Sequence, residues 1–253
     1  MNLGLTEKSA LVVGGSRGLG RAIALGLARE GARVAIVARS ASAIERTVEA
    51  MGGEANGHRG ISMDLVPDGS PEALVARLEE MGINRIDILI HNLGGTLQVG
   101  DPLCGVSDWR KVWRLNLEIA IDINRRLIPK MKERGWGRIV HVSSVAAVLN
   151  HGSLPYGTVK AALNAYVKNL GAVLAPHGVV ACGIMPGAIL YEGSDWEKRS
   201  RDNPSQAAEF LNGKIAIGRF ARPEEIASLA VFLSSEQASF FCGDVLPVDG
   251  GSR

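Results

Sequence analysis

The chain has 253 residues, of which 46% are hydrophobic and 21% are charged, with a formal net charge of +2. This composition is typical of a globular protein, and the charge gives no electrostatic reason to expect nucleic acid or an anionic membrane as a partner. Three scattered cysteines match neither a disulfide framework nor a metal-ligand spacing, which favours a reducing cytoplasm and predicts no metal site. No apolar run reaches the ~18 residues of a membrane span, and charged residues precede the first apolar run, unlike a signal peptide.

Short apolar runs alternate along the chain with segments whose apolar residues recur at helical spacing. The predicted strands are 9–14, 33–38, 61–65, 86–91, 138–143, 179–185 and 244–248. The predicted helices are 18–30, 41–51, 71–81, 106–134 (which can kink near Pro129), 155–175 and 223–234. This alternation predicts one α/β domain over residues 1–253, with a doubly wound parallel sheet of about seven strands and helices on both faces.

One polar segment, 190–213, interrupts this alternation. It contains Gly193, Pro204 and Gly213 and is longer than an ordinary connection between a strand and a helix. Such a segment is either a lid or a disordered excursion. We expect a lid that contributes to substrate binding.

Four glycines, Gly14, Gly15, Gly18 and Gly20, lie where the first predicted strand ends and the first predicted helix begins. Glycine lets the backbone approach a pyrophosphate closely, and the start of a helix offers free N–H groups and a partial positive charge. A plain strand-to-helix turn would also contain glycine. The position of the pattern, after the first strand and at the start of the first helix, favours a nucleotide-binding loop.

The end of the second predicted strand indicates which dinucleotide this loop binds. An acidic residue at this position accepts a hydrogen bond from a free ribose hydroxyl, whereas arginine matches a 2′-phosphate. Here Ala38 is followed by Arg39, and Arg17 lies within the glycine loop. The alternative is that both arginines are solvated surface charges. We predict NADP(H) as the cofactor.

Tyr156 and Lys160 are four residues apart in a predicted helix, so they share one face. A neighbouring ammonium group lowers the pKa of a phenol towards the range useful for acid–base catalysis. Such a pair is also common on protein surfaces. Ser143 and Ser144 precede it at the end of a predicted strand, and the carboxyl ends of parallel strands are where ligands bind. The sequence therefore predicts an acid–base site beside the nucleotide loop.

The ordered set of these motifs resembles the short-chain dehydrogenase/reductase family along nearly the whole chain. Val13 stands where that family usually has threonine, and His91 and Leu93 depart from its pattern after the fourth strand. Further matching segments are Asp64-Leu65, Asn92 with Gly94, Pro186-Gly187-Ala188-Ile189, Gly218-Arg219, Pro223-Glu224-Glu225 and Asp249-Gly250-Gly251. The resemblance implies a single Rossmann domain. We expect a structural role for His91, a lone histidine at a strand end.

The resemblance implies that Tyr156 exchanges a proton with the substrate oxygen, while Lys160 lowers the pKa of the tyrosine and holds the nicotinamide ribose. It also implies that Asn116 anchors a water molecule of the proton relay. The residues expected to bind the cofactor are Gly14, Ser16, Arg17, Gly18, Leu19, Gly20, Arg39, Asp64, Leu65, Asn92, Gly94, Tyr156, Lys160, Pro186, Gly187 and Ile189.

The identity of the catalytic serine is open between two neighbours. The local pattern around the strand end favours Ser144, whereas the family's usual spacing to Tyr156 favours Ser143. A loop one residue shorter than usual reconciles Ser144 with the spacing. We choose Ser144, with Ser143 as the alternative, because the end of a strand is fixed more firmly than the length of a loop.

The resemblance implies an oxidoreductase that transfers a hydride between NADP(H) and a carbonyl or secondary alcohol. The tail and the arginines resemble the 3-oxoacyl-carrier-protein reductase branch, which favours ketone reduction of the 3-oxoacyl or a related type. The alternatives are an NAD-dependent sugar, steroid or polyol dehydrogenase, and a catalytically silent nucleotide-binding regulator or scaffold.

The substrate pocket is expected between segments 93–100, 145–155 and 190–213, where His151 and Trp196 can face a small-molecule substrate. Relatives in the family form dimers and tetramers through two long helices. We therefore expect a homodimer or homotetramer. The helix residues that either form this interface or belong to the internal core are Trp109, Trp113, Ile119, Leu163 and Tyr166.

Overall fold

The apolar runs of the sequence form strands, and most of their residues are buried. The structure, a computed structural model, describes residues 2–149 and 151–253. Its strands are β1 (Ser9–Val13), β2 (Arg33–Ala38), β3 (Arg59–Ser62), β4 (Ile88–His91), β5 (Gly137–Val142), β6 (Val179–Pro186) and β7 (Val245–Val248). Runs rich in valine, isoleucine and leucine suit strands that are covered on both faces, as in a parallel sheet.

Helices connect successive strands. They are α1 (Gly18–Arg29), α2 (Ala41–Ala50), α3 (Ser70–Glu80), α4 (Val106–Trp113), α5 (Ile119–Glu133), α6 (Leu154–Leu174), α7 (Asp195–Asp202), α8 (Pro204–Lys214) and α9 (Pro223–Leu233). One turn of π-helix, Arg114–Glu118, joins α4 to α5. All strand pairs are parallel, and the order in the sheet is β3-β2-β1-β4-β5-β6-β7.

Alternate residues of the central strand β1 belong to two different cores. Val12 packs in a cluster with Ile23 of α1 and Ala230 of α9. Leu11 and Val13 belong to a second cluster, on the other face of the sheet, that includes residues of α3, α5 and α6. Because successive side chains of a strand point to opposite faces, this division places helices on both sides. The predicted fold class, a Rossmann-type doubly wound sheet, is confirmed.

Some predicted boundaries are wrong. The third strand begins at Arg59 and ends at Ser62, although Leu65, the end of the predicted run, is still buried. The long helix predicted at 106–134 contains the π-helical turn, and α5 continues through Pro129 to Glu133. A single π-helical turn holds only about one residue more than an α-helical turn, a change in hydrophobic spacing too small for the sequence to show.

The segment 190–213 contains two helices, so a disordered excursion is the wrong alternative. Oγ of Ser194 accepts a hydrogen bond from the N–H of Glu197 at the start of α7. Oδ1 of Asn203 accepts one from Gln206 at the start of α8. Side-chain caps of this kind stabilise a helix by ~1 kcal/mol each. They make regular structure possible in a segment that has few apolar residues.

The helices expected at an oligomer interface contribute part of their apolar surface to the internal core. Ile119 and Leu163 are buried within the single chain. Trp109, Trp113 and Tyr166 stay partly exposed. Ile119 and Leu163 therefore belong to the internal core. An oligomer interface at Trp109, Trp113 and Tyr166 stays a prediction.

The strand order reverses between β1 and β4, because β1 is followed in sequence by strands on one side and β4 by strands on the other. At such a switch point the loops after the two strands diverge and leave a crevice at their carboxyl ends, where doubly wound sheets bind ligands. The glycine loop follows β1, and Asn92 follows β4. The topology thus places both motifs at one crevice.

Two glycines within helices provide a matched test of the packing. A methyl group on Gly171 in α6 would overlap the backbone nitrogen of Gly243, whereas one on Gly213 in α8 meets nothing within 4 Å. We expect Gly171→Ala to lower the free energy of unfolding by ~1–3 kcal/mol through overpacking. Gly213→Ala should raise it by up to ~1 kcal/mol, because alanine favours helix. Urea denaturation measures both, and changes of the same sign would contradict this packing.

Candidate active site

The loop that follows β1 folds tightly against the first turn of α1. A methyl group on Gly20 would overlap the carbonyl oxygen of Gly14, and one on Gly15 would lie 2.8 Å from Cγ2 of Ile36. Helix α1 begins after Arg17, whose side chain makes no capping hydrogen bond to any described residue. The N–H groups of the first turn are therefore free to bind a phosphate. The negative charge of a phosphate also interacts favourably with the positive end of the helix dipole.

Two side chains from other elements hold this loop in place. Nδ2 of Asn92 donates a hydrogen bond of 2.9 Å to the carbonyl oxygen of Gly14. The buried hydroxyl of Thr47 in α2 lies 3.2 Å from the carbonyl oxygen of Ser16 and 2.8 Å from that of Ala43, so its one proton is shared between them. The sequence identifies Asn92 by its place after a strand. Thr47 was missed, because nothing in its local sequence marks a contact 31 residues away.

The end of β2 gives this edge of the sheet a positive charge. Arg39 follows the strand directly, Arg17 lies in the glycine loop, and both side chains are exposed. Asp64, after β3, is also exposed, and its Oδ1 accepts the N–H of Val66 at 3.0 Å. Leu65 is buried in the core. Two exposed guanidinium groups at the end of the sheet that holds the glycine loop fit a dinucleotide that carries an additional phosphate.

The predicted reacting residues lie together at the carboxyl end of β5. Tyr156 is half-buried and forms a hydrogen bond with the side chain of Ser144. Nζ of Lys160, one turn further along α6, lies 5.6 Å from the centre of the Tyr156 ring. The same Nζ donates a hydrogen bond of 2.9 Å to the carbonyl oxygen of Val142. A phenol, a hydroxyl and a buried amine therefore share one small region.

The two neighbouring serines have different surroundings. Ser143 is buried, and its hydroxyl donates to Oδ1 of Asn164 at 2.5 Å, with the carbonyl oxygen of Lys160 at 3.4 Å. Ser144 is only partly buried, its side chain forms a hydrogen bond with Tyr156, and its Oγ accepts the N–H of Ala146 at 3.1 Å. This geometry favours Ser144 over Ser143 as the serine of the reacting group.

Burial has a larger effect on the site's pKa values than neighbouring charge does. It raises the pKa of Tyr156 above its ordinary value, and the hydrogen bond with Ser144 offsets only part of that rise. Burial also lowers the pKa of Lys160 to about 7. The expected lowering of the tyrosine pKa by the lysine is therefore not found here, because desolvation disfavours both charged forms. Tyr156 keeps its proton at neutral pH and can act as a proton donor.

Asn116 lies in the π-helical turn and fixes the loop after β4. Its Nδ2 donates to the carbonyl oxygens of Gly95 at 2.9 Å and Val112 at 2.8 Å, and its Oδ1 accepts the N–H of Gly95 at 3.0 Å. A methyl group on Gly94 would lie 2.7 Å from Oδ1 of Asn116 and 3.1 Å from Nζ of Lys160. The backbone of Gly94 thus passes between these two side chains. The structure therefore brings Asn116 to the same site.

A buried polar cluster, formed by His91, Asn124, His141 and Tyr166, lies behind the site. Nε2 of His91 is 2.9 Å from Oδ1 of Asn124, and the His91 ring stacks on His141 with centroids 4.5 Å apart. Nδ2 of Asn124 also donates to the hydroxyl of Tyr166 at 3.0 Å. Burial lowers the pKa of His91 to about 4 and that of His141 well below its ordinary value. These contacts support the structural role expected of His91.

The segment after β6 passes over the glycine loop. The strand ends at Pro186, the N–H of Gly187 donates to the carbonyl oxygen of Val248 at 3.2 Å, and Ile189 pairs with Ala221. A methyl group on Gly18, whose φ is +51°, would lie 2.5 Å from the ring of Tyr191. The segment 190–213 therefore contacts the cofactor loop through Tyr191, a residue that sequence reasoning missed. Neither the described helices nor the described side chains offer a membrane-spanning helix or a cluster of three or more metal-ligating groups.

Comparisons with known proteins bear on the family and the fold. A family model described as enoyl-(acyl carrier protein) reductase matches residues 13–253. The 3-oxoacyl-[acyl-carrier-protein] reductase FabG of Aquifex aeolicus is 34% identical over 262 residues, covering 99% of this chain and 99% of that protein. The structure of L-sorbose reductase from Gluconobacter frateurii with NADPH and L-sorbose has a TM-score of 0.88 at 32% identity, over 99% of this chain and 98% of that one. The Pseudomonas aeruginosa RhlG/NADP active-site complex has a TM-score of 0.87 at 33% identity, with the same coverage.

The buried histidines predict a dependence of stability on pH. Because the pKa of His91 falls from 6.5 to about 4 on folding, the unfolded chain binds more protons than the folded chain between these values. The free energy of unfolding should therefore decrease as the pH falls through this window, by about 3 kcal/mol for His91 alone.

Urea denaturation between pH 7 and pH 4 measures this slope. We expect His91→Asn to flatten it, and His177→Asn, at an exposed position, to leave it unchanged. Parallel slopes for wild type and His91→Asn would show that His91 is protonated in the folded protein.

Proposed function

This chain belongs to the short-chain dehydrogenase/reductase family, and from that premise we propose that it is an NADP(H)-dependent enzyme that interconverts a ketone and a secondary alcohol. One observation carries the proposal: the half-buried Tyr156 has Ser144 beside it and the amine of Lys160 5.6 Å from the centre of its ring. In the reductive direction Tyr156 can act as the proton donor, because burial raises its pKa.

Each reacting side chain has a separate task in this proposal. The hydroxyl of Ser144 donates a hydrogen bond to the substrate carbonyl oxygen and orients it towards Tyr156. Tyr156 then gives its proton to that oxygen as the carbonyl becomes an alcohol. The positive charge of Lys160 stabilises the phenolate that remains, and a pKa of about 7 lets this amine exchange protons at neutral pH. Hydride transfer to the carbonyl carbon is the chemistry that bound NADPH supplies.

The cofactor residues follow from the position of each loop. The backbone of the glycine loop, from Gly14 to Gly20 with Ser16 and Leu19, would hold the phosphates. Arg17 and Arg39 would hold the 2′-phosphate, and Asp64 with Leu65 would lie near the adenine. The remaining assignments are Asn92, Gly94, Lys160, Pro186, Gly187 and Ile189 on the nicotinamide half. The solved complexes of similar proteins with NADPH and NADP support this choice of cofactor.

Two substrate types are consistent with the relatives. The similarity to a 3-oxoacyl-[acyl-carrier-protein] reductase favours a 3-oxoacyl or related ketone. The similarity to L-sorbose reductase favours a sugar as the second candidate. In both cases the segment 190–213 would serve as the substrate-binding lid, because it lies over the glycine loop. The cytoplasmic location and the homodimer or homotetramer stay predictions.

The proposal is tested by replacing the phenol. We expect Tyr156→Phe to lower kcat for ketone reduction at least ~100-fold, because the proton donor is lost. Binding of NADPH, measured by its fluorescence, should change little, since the glycine loop is untouched. Unaltered turnover in Tyr156→Phe would overturn the proposed mechanism.

The two serines serve as matched variants in the same assay. Ser144→Ala should lower kcat strongly, because it removes the contact with Tyr156. Ser143→Ala should act mainly on stability, because its hydroxyl bonds to Asn164 within the protein. A larger loss of kcat in Ser143→Ala would transfer the catalytic role to that residue.

The cofactor choice is tested by reversing a charge. We expect Arg39→Asp to weaken NADPH binding by ~10–100-fold and to improve NADH binding, because a charge-assisted bond to phosphate is replaced by repulsion. Arg33→Asp, at the other end of β2 and also exposed, is the control and should leave both affinities unchanged. Tighter binding of NADH than of NADPH by the wild type would refute NADP(H) as the preferred cofactor.

A further inference from the structure

Four aromatic rings from separate parts of the chain meet in one cluster. Trp196 of α7 lies at the centre, with the ring of Phe210 of α8 at 4.3 Å and that of Phe220 at 5.1 Å between centroids. The ring of His151, from the segment before α6, meets Phe210 edge-on at 5.9 Å. We call these four residues the aromatic cluster. It joins the lid to the loop that carries the reacting serine.

The aromatic cluster reaches the reacting tyrosine through the segment before α6. His151 precedes Gly152, where a methyl group would lie 3.7 Å from Cδ1 of Tyr156. Trp196 follows Asp195, whose negative charge is close enough to raise the pKa of Tyr156. A substrate whose carbonyl oxygen reaches Tyr156 therefore lies near the segment that carries His151.

Packing within the aromatic cluster leaves part of each ring's surface exposed. All four stay partly exposed. Trp196 is the single apolar residue of α7, whose other residues are charged or polar, so this ring is the part of the helix that can contact apolar groups. Partly exposed aromatic faces and edges bind another flat ring through stacked or edge-on contacts. The cluster therefore offers a surface for an aromatic group rather than for a chain of hydroxyl groups.

Charge narrows the chemical class further. The carboxylate of Asp195 repels an anionic group near Tyr156. The nearest cation of the lid in contact with the cluster, the Arg199 guanidinium, lies over the Trp196 ring at 5.2 Å, and Arg199 is exposed. A neutral substrate meets no such repulsion, whereas a free carboxylate beside the ketone would.

We propose that the substrate is a neutral ketone with an aromatic ring next to the reacting carbonyl, and that Trp196 and Phe210 hold this ring. The inference rests on the proposed function and names the substrate class of the same site. An aryl group at the third carbon of a 3-oxo ester satisfies both the aromatic cluster and the similarity to 3-oxoacyl reductases.

The experiment compares two neutral substrates that differ only in the ring. These are ethyl 3-oxo-3-phenylpropanoate and ethyl 3-cyclohexyl-3-oxopropanoate. Their alcohol products are titrated by calorimetry into the NADPH-loaded protein, a combination that cannot react, and KM of each ketone is measured with NADPH. We expect the phenyl compounds to bind at least ~5-fold more tightly, because the aromatic contact is lost with cyclohexyl.

Variants assign the preference to the aromatic cluster. Phe210→Leu and Trp196→Leu should remove the phenyl preference, while Trp196→Phe should keep most of it. Retention in Trp196→Phe separates loss of a ring from loss of the lid's fold. Phe240→Leu replaces a ring that is 98% exposed and lies outside the cluster, and it should leave the preference unchanged. The free acid of the phenyl substrate should bind more weakly than its ethyl ester.

Equal affinities for the phenyl and cyclohexyl compounds would overturn the inference. A phenyl preference that survives in Phe210→Leu and Trp196→Leu would overturn the assignment to these rings. Both results leave the proposed function standing as long as Tyr156→Phe abolishes reduction. Reduction that continues in Tyr156→Phe instead defeats the proposed function, whatever the ring preference.

Discussion

The close approach of the two loops at the switch point of the sheet is the constraint on which the site depends. The amide of Asn92, after β4, bonds to the carbonyl oxygen of Gly14, after β1, and so ties the diverging loops together. Gly20 has no room for a side chain beside Gly14. This arrangement holds the open N-terminus of α1 beside the loop that also contacts Asn116 and Lys160. Phosphate binding and proton transfer are thereby placed at one edge of the sheet.

The fold could be predicted in its main features because burial on two faces leaves a strong pattern. Strands such as β1 and β4 read as continuous apolar runs, and the helices between them have an apolar stripe. The errors occur where local hydrogen bonds decide the structure. The π-helical turn at Arg114–Glu118 and the caps of α7 and α8 do not change hydrophobic spacing. The start of β3 was misplaced because its first residues, Arg59 and Gly60, are not apolar.

The site was predictable where its residues are close in sequence or follow a strand. The four-residue spacing of Tyr156 and Lys160 on a helix, and the glycine loop, are local signals. Choosing between Ser143 and Ser144 required the direction in which each side chain points, which sequence spacing left open. Thr47, Tyr191 and Asn124 could not be found, because each acts through a contact distant in sequence. The aromatic cluster likewise joins residues from four separate segments. The sequence points to His151 and Trp196 as residues of the substrate pocket, but not to Phe210 and Phe220.

Burial keeps the phenol of Tyr156 neutral. In water a lysine beside a tyrosine favours the phenolate, but a half-buried site penalises both charges, so the neutral phenol is retained. Donation of the phenol's proton creates a negative charge where solvent is scarce. The hydrogen bond from Ser144 and a proton on Lys160 are then worth more than they would be in water. The negative charge of Asp195, at the start of α7, also raises the pKa of Tyr156, so the segment 190–213 affects the same proton. A ligand that displaces water from Tyr156 therefore strengthens both effects on the phenol, the desolvation and the repulsion by this carboxylate.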